Sequence, residues 1–588
     1  MTYDSEKDVL GKEPITIVGL ELDKCSLTHG ISPCTATETG DDKCFNTRAT
    51  CNDTANYTKT TQEYLYCQPR GNLPQGVNMF PVITGEVKEA ATTVTGGKGL
   101  GSRAVVTVKL KDFPHHDRGE DPYVDDRTYD PETRGTYWSK KLARTPYYEG
   151  RTLNVYHGYL TDPFSWSNFK TQQYDITDID GPTNGHVTVT GKDILIRTYG
   201  IKQKYPELSS GKLSADIAAS ASTGTLTPSG IGNSDYPTSG YVAIGREVKS
   251  FTRSGDTLTF TGHGQYGTTN TSHSSGDVVQ ICVTWDEENV VDALYQVLTD
   301  GAGIPDSFIP YDDGATGTNE NWDDEKEIWM STYSVTGILM KPESVESIIK
   351  EWSEQFLFDV WWDATNQEVR IKALSPEAPG ETINTLTDDY NIVAGSMKIK
   401  RDYKQRYTEI QVWHNKIDYS ESDDIENYAQ AQIAVDTDLS SSDLYGSSSI
   451  KVVLSRWIDN SAQALQLAGR LLNRYSETPT IINFEVLAKD DSKFETAGRV
   501  NIDTYQIQDF TGQNNVRPFQ VIEVNPTDPG HSVKVKAIIS SYAGRYWFIA
   551  PDGTSDYSSA SDDDRSSYGF VCYDTGVFLD GEDAYKIL

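Results

Sequence analysis

Four of the seven cysteines stand within 27 residues, as Cys25-x8-Cys34-x9-Cys44-x6-Cys51, and the other three, Cys67, Cys282 and Cys572, are scattered. Thiols clustered in this way can close disulfides, bind a zinc ion or hold an iron–sulfur cluster. A chain of 588 residues has apolar material for several cores and needs no staple to fold, and Cys67 makes the clustered thiols odd in number. Zinc sites favour tight C-x2-C pairs, because one short turn then presents two thiolates to a tetrahedral ion. Intervals of 8, 9 and 6 residues lack that pair. Widely spaced loop cysteines can instead wrap a cubic cluster whose four irons each take one thiolate. On spacing alone, iron–sulfur stands ahead of zinc and both remain open.

Other chemistry-bearing residues give weaker signals. His115-His116 lies in PHHDRGEDPYVDD; adjacent side chains rarely point at one ion, no H-E-x-x-H is present, and the segment reads as an exposed charged loop. Asp175, Asp178 and Asp180 lack the ligand spacing of a calcium loop and read as turn residues. There is no G-x-S-x-G and no G-x-x-x-x-G-K-[ST], and none of the 86 acidic residues is singled out as a catalytic pair. The chain is therefore read as no enzyme. Trp361-Trp362 and Trp322 with Trp329 are candidate sugar platforms for an alternative reading, an extracellular β-rich adhesin with a disulfide-stapled N-terminus; core packing is the favoured reading of the first pair.

The elements that must carry these residues are mostly strands. The 34 Tyr, 47 Gly and 5 Met, with short alternating runs between turn signals, predict all-β or β-rich α+β domains. Arg103–Lys109, His186–Thr190, Asp256–Thr261 and Ser532–Ile538 are examples, and Ser254-Gly255-Asp256 and Ala364-Thr365-Asn366 predict hairpin connections. Three helices are expected. Asp286 caps a helix carrying Val290, Val291, Leu294, Val297 and Leu298. Pro342 opens a second, with Val345, Ile348, Ile349, Trp352 and Phe356 on one face. Asp459 or Ser461 caps a third, burying Ala464, Leu465, Ala468, Leu471, Leu472 and Tyr475. Composition divides the chain into a cysteine module 1–75, a β-patterned 76–285 with Gly/Ser/Thr-rich loops at Ser220–Gly240 and Gly264–Gly276, a helix-plus-β 286–400, strands around helix 460–475 in 401–550, and an acidic linker with a C-terminal segment in 551–588.

Charge limits the partners. With 52 basic and 86 acidic residues, the net charge of -34 repels phosphate backbones and anionic lipid, so sequence-specific DNA reading and stable membrane insertion are not expected. An acidic lining would suit a conduit through which DNA passes without sticking. Mean hydropathy is -0.53, no apolar run reaches a membrane helix, and the first twenty residues lack a secretory signal, which points to synthesis in a cytoplasm, where metal thiolates are favoured over disulfides.

The segment Ile15–Cys67, with CSLTHGISPCTA, DDKCFNTRATC and NYTKTTQEYLYC, resembles the cysteine module of tail-tip and hub proteins of long-tailed, siphovirus-like phages and gene transfer agents. Its C-x8-C and C-x6-C intervals are similar to those of the lambda tail tip protein L family, in which four cysteines hold a [4Fe-4S] cluster. The resemblance implies Cys25, Cys34, Cys44 and Cys51 as cluster ligands and Cys67 as a non-ligand. GRTLNVYHGY, YDITDIDGP, VTVTGKDIL and ALQLAGRLLNRYSETP look like later parts of such hubs. By resemblance, then, the fold is mainly β with several β-barrel or β-sandwich domains of baseplate-hub type: hub domains at 76–285 and 286–400 and a tube-like barrel at 401–550. The implied role is structural, a trimeric ring at the virion tail tip. It would close the distal tail tube, convert six-fold to three-fold symmetry and line part of the DNA-ejection channel, beside distal tail, fibre and tape-measure proteins.

Overall fold

The computed structural model describes residues 3–6, 9, 11–90, 92–198, 204–312, 321–364, 366–375, 382–402, 405–435, 449–475, 478–528, 532–540, 559, 561, 570–571 and 585–586. Cys572 and all but two residues of the acidic stretch Asp552–Asp564 lie outside the described residues. The protein is mainly β. Among the described residues, no helix is long and apolar enough to cross a membrane.

The first sheet is built from β1 (Pro14–Cys25), β2 (Lys59–Cys67), β3 (Met79–Phe80), β4 (Lys88–Ala90), β5 (Val105–Lys111), β6 (Thr152–Tyr159), β7 (Phe169–Thr183) and β8 (His186–Lys192), in the order β3-β2-β1-β6-β7-β8-β5-β4. Alternation along β5 and β8 turns Val106, Val108, Val187 and Val189 inward, where Val18, Tyr66 and Trp138 complete the core. Residues 14–25 and 59–67 share this sheet with strands reaching 192, so the cysteine segment is joined by backbone pairing to the strands C-terminal to it. Trp138 sits on a covering helix, Tyr137–Arg144.

A second sheet uses β10 (Lys212–Leu213), β11 (Thr223–Thr227), β12 (Ser239–Ile244), β13 (Glu247–Ser254), β14 (Thr257–Gly262), β15 (Val279–Asn289) and β16 (Ser334–Leu339); β9 (Lys204–Tyr205) pairs only with β17 (Glu343–Ser344). The expected Ser254-Gly255-Asp256 turn is present: Ser254 pairs with Thr257, and Gly255 takes a φ of 61° that side chains resist. Ser220–Gly240 is not a plain loop, since it contains β11 and the short helix Ile231–Asp235. Gly264–Gly276 is a loop, pinned where Gly264 and Thr271 N–H donate to the buried Glu247 carboxylate.

Further strands form the hairpin of β18 (Phe358–Asp363) with β19 (Glu368–Ala373), a six-stranded sheet containing β20 (Thr385–Thr387) and β21 (Lys398–Arg401), a three-stranded one of β22 (Glu409–Lys416), β23 (Tyr428–Val435) and β24 (Ile450–Leu454), and a short pair of Phe570–Val571 with Tyr585–Lys586. The six-stranded sheet is completed by β25 (Thr480–Leu487), β26 (Arg499–Asp503), β27 (Arg517–Asp528) and β28 (Ser532–Ile539).

All three expected helices exist, as Val290–Gln296, Val345–Phe356 and Ser461–Tyr475, yet their starts differ. β15 runs through Asp286, and Asn289 caps the first by accepting from Val291 N–H. Ser344 rather than Pro342 serves the second, and Asn460, accepting from Ala462 N–H, the third. Leu465 is half exposed, because the 3.6-residue period places it beside the stripe carried by Ala464, Ala468, Leu471 and Tyr475. These helices meet in one large core, where Trp285, Trp352 and Trp457 touch edge to face at 5.1–5.7 Å between ring centroids. Trp322, Trp361 and Trp362 are buried as well, which removes them as sugar platforms.

Candidate functional site: four thiols around one cavity

β1 and β2 are partners from Ile17 opposite Cys67 to Cys25 opposite Lys59, so residues 26–58 are the connection of a single hairpin. Cys25 ends β1; the other three clustered thiols ride on the connection. Having no long helix or strand, this loop is held by local hydrogen bonds. Cys25 N–H donates to Asn46 O at 2.7 Å and Cys34 N–H to Ile31 O at 2.9 Å. Asn46 has a φ of 53°, a left-handed conformation that asparagine tolerates better than most side chains. Cys51 follows the short turn Arg48–Thr50. The Thr35 amide and hydroxyl both donate to Asp53, at 2.7 and 2.8 Å, tying the Cys34 segment to the stretch after Cys51.

These ties bring Cys25, Cys34, Cys44 and Cys51 to the wall of one cavity, open in part to solvent, with His29 and Tyr57 beside them. All six described cysteines are free thiols, so no disulfide staples the loop among the described residues. Cys67 is placed elsewhere, at the end of β2 in a core with Ile15, Ile17 and Phe169, where burial pushes its thiol up to about 11. Cys282 is buried on β15, pushed by burial to about 12.

The donor set has the chemistry of a metal centre. Burial raises the Cys44 and Cys51 thiols, opposed in part by backbone hydrogen bonds at Asn46 and Asp53, and repulsion from the other cavity thiols adds to the rise. They ionise together only beside a compensating cation. His29 Nε2 lies 2.9 Å from Glu38 O, which assigns its proton to that nitrogen and leaves Nδ1, 3.5 Å from Cys44 Sγ, as an acceptor. Tyr57 adds a second sign of a missing acceptor. Its hydroxyl is buried with no hydrogen-bond partner, and burial followed by the charges of Asp23, Cys25 and Cys51 pushes it to about 12, so it remains a donor.

Among the described residues no group of three or more His, Cys, Asp or Glu converges as a single-ion site would require. A tetrahedral zinc with bonds of about 2.3 Å needs sulfurs about 3.8 Å apart. By donor type, four thiols at one cavity suit a metal–thiolate group, zinc or [4Fe-4S].

The segment around His115 departs most from its sequence reading. It is not an exposed loop: His115, Asp117, Asp121 and Arg127 are all buried. Burial favours protonation of Asp117, but hydrogen bonds from His115, Lys140 and Arg144 outweigh it and hold the carboxyl well below the usual range. Opposite charges are spaced along the sequence so that they pair only once helix Tyr137–Arg144 folds beside them. Tyr123 from this segment reaches the cysteine loop, donating to Asn46 Oδ1 at 3.0 Å and accepting from His29 N–H at 2.7 Å. Sequence reasoning missed Tyr57, His29, Tyr123 and Arg127; the only available signal was that His29 and Tyr57 lie between or just after the cysteines.

No protein-family model matches the sequence, and no curated protein matches it. Among solved structures the chain is similar to the 43 kDa tail protein of prophage MuSo2 from Shewanella oneidensis, at 8% identity over 78% of this chain and 98% of that one, with a TM-score of 0.36. It is similar to a tail protein from Neisseria meningitidis at 11% identity, covering 76% of this chain and 96% of that one, TM-score 0.35. A chain from the virion of a native gene transfer agent gives 11% identity, 89% and 92% coverage and a TM-score of 0.30.

Proposed function

We propose that this chain is a structural hub of a phage-type tail tip, braced by a [4Fe-4S] cluster on Cys25, Cys34, Cys44 and Cys51. The observation that carries the cluster is the meeting of four thiols from one hairpin connection at one cavity, with an unpartnered Tyr57 hydroxyl among them. The sequence resemblance of Ile15–Cys67 to tail-tip cysteine modules supports the setting. When bound, the cluster supplies four metal–thiolate bonds that cross-link the loop. The chain's own residues position the thiols, exclude water from Cys44 and keep Tyr57 protonated as a donor; no catalytic role is assigned.

In this reading the protein is assembled in the host cytoplasm and resides at the virion tail tip, as a trimeric ring continuing the tail tube. It adapts six-fold to three-fold symmetry and borders the DNA-ejection channel, next to distal tail, fibre and tape-measure proteins. A ring needs heterologous contacts that close. The net charge of -34 suits a channel wall to which DNA does not adhere.

The test is direct. Protein purified without oxygen is expected to be brown, with iron and sulfide near one cluster per chain. Cys44→Ser is expected to lose the cluster and impair ring assembly, whereas Cys282→Ser does neither. Colourless wild-type protein, or equal effects of the two substitutions, defeats the ligand assignment. Negative-stain images lacking rings defeat the hub.

A further inference from the structure

Arg127 lies outside the cysteine loop in sequence but inside it in space. Its side chain is fully sealed from solvent. Nη1 faces Gly40 O at 3.0 Å, Asp41 O at 2.9 Å and Lys43 O at 2.9 Å, and Nη2 donates to Cys44 O at 3.1 Å. Nε and Nη2 also donate to the two carboxylate oxygens of Asp121, at 2.8 and 3.1 Å. The guanidinium stacks 4.2 Å from the Phe45 ring centroid, and Arg144 packs against the same ring at 4.1 Å. Neighbouring ties run parallel: Lys43 pairs with Asp126 at 2.8 Å, and Thr128 N–H donates to Asp41 at 2.7 Å.

Residues 40–44 thus turn four carbonyl oxygens toward one point. In a helix each would have an amide partner, but here the only internal support is the short turn Gly40–Asp42. Converging carbonyls repel, and burying them unpaired is costly. A planar cation with five donors answers both problems, and a lysine ammonium, with three donors and no plane, does not. Asp121 fixes the fork and balances its charge, so the arrangement needs no ligand to hold Arg127 in place.

We propose that Arg127 is the positioning residue for Cys44, so that the segment 112–130 supports from behind a thiol cavity lined by residues 25–57. Arg127 touches no cavity thiol; it acts through the carbonyls of the turn that carries Cys44. Its consequence for cluster loading rests on the [4Fe-4S] proposal, while its effect on Cys44 does not.

The experiment uses full-length protein throughout. Wild type and the variants Arg127→Ala, Arg127→Lys, Asp121→Asn and Arg134→Ala are stripped with chelator, and alkylation of Cys44 is timed by peptide mass spectrometry, with Cys282 as the internal report of global unfolding. Arg127→Ala and Asp121→Asn are expected to raise the Cys44 rate about tenfold or more, the local opening that accompanies loss of charge-assisted hydrogen bonds. Arg127→Lys falls between, Arg134→Ala matches wild type, and the Cys282 rate stays fixed. Unchanged Cys44 rates in both Arg127→Ala and Asp121→Asn overturn the proposal; should Arg127→Ala fail to fold, Asp121→Asn and Arg127→Lys decide it. Iron and sulfide are measured on the same variants purified without oxygen. Wild type without iron and sulfide removes the cluster reading and leaves Arg127 to be judged by alkylation. Wild type and Arg127→Ala holding equal iron and sulfide, with the same visible spectrum, overturn the positioning role alone.

Discussion

Asp117 is 1% exposed, with Lys140 and Arg144 each 2.6 Å from its carboxylate and His115 beside it. Its folded pKa lies below the ordinary 3.8, so on acidification the unfolded chain takes up the proton first. The stabilisation it gives is complete above about pH 4 and is lost as the pH falls toward the folded value. Asp117→Asn is expected to cost about 3 kcal/mol at neutral pH, because it leaves buried cations without their partner, and to flatten the acid limb of the stability curve. Denaturant midpoints between pH 3 and 7 measure both; an identical acid slope in variant and wild type would refute the assignment. The residue illustrates the limit of reading this segment linearly. His115-His116 and five acids in PHHDRGEDPYVDD look solvated because a run of charges shows no partner. The partners, Lys140, Lys141 and Arg144, come from a helix further along the chain. The four cysteines were legible because their ligand chemistry depends on residue type and nearness along the chain, whereas Tyr57 and Arg127 matter only through where they end up.

At the scale of elements, strands and helix stripes were read from periodicity to within a few residues. The strand expected at Ser532–Ile538 is observed at Ser532–Ile539, and Val345, Ile348, Ile349 and Trp352 are fully buried as a stripe should be. Helix starts were misplaced by up to a few residues each time: cap-forming residues crowd before the first and third helices, and before the second Ser344, two residues after Pro342, takes the cap. Asp286 falls in a bulge of β15 between the Trp285–Gly337 and Glu288–Val335 pairs, and the strand runs on to Asn289, so the cap falls to Asn289. Asn289→Ala is therefore expected to lower stability by about 1 kcal/mol, somewhat more because its amide also donates to Met330 O at 2.9 Å, whereas Asp286→Ala stays within about 0.5 kcal/mol of wild type. Thermal unfolding of the pair decides it, and the reverse ranking would return the cap to Asp286.

Across the whole molecule, distant segments are joined by buried polar ties that no local pattern announces. Asp359 on β18 accepts from Thr95 and Gly97 N–H, at 3.3 and 3.0 Å, and from Gln520 Nε2 on β27 at 3.2 Å, linking the turn before β5 to two other sheets. Asp359→Ala is expected to destabilise by about 3 kcal/mol by leaving these donors buried and unpaired. A change below about 1 kcal/mol in denaturant titration would show the tie to be dispensable. By itself the sequence determined the β-rich class, the existence of three helices and the candidate thiol ligands, because propensity, periodicity and ligand chemistry are carried by neighbouring residues. Only the tertiary structure decided that the cysteine segment is the tip of a hairpin in a larger sheet, that Cys67 leaves the cavity for a core, and that Arg127 closes on the Cys44 turn. Those outcomes depend on contacts between residues from 83 to 145 positions apart, whose partners are selected by burial and charge pairing once the chain is compact.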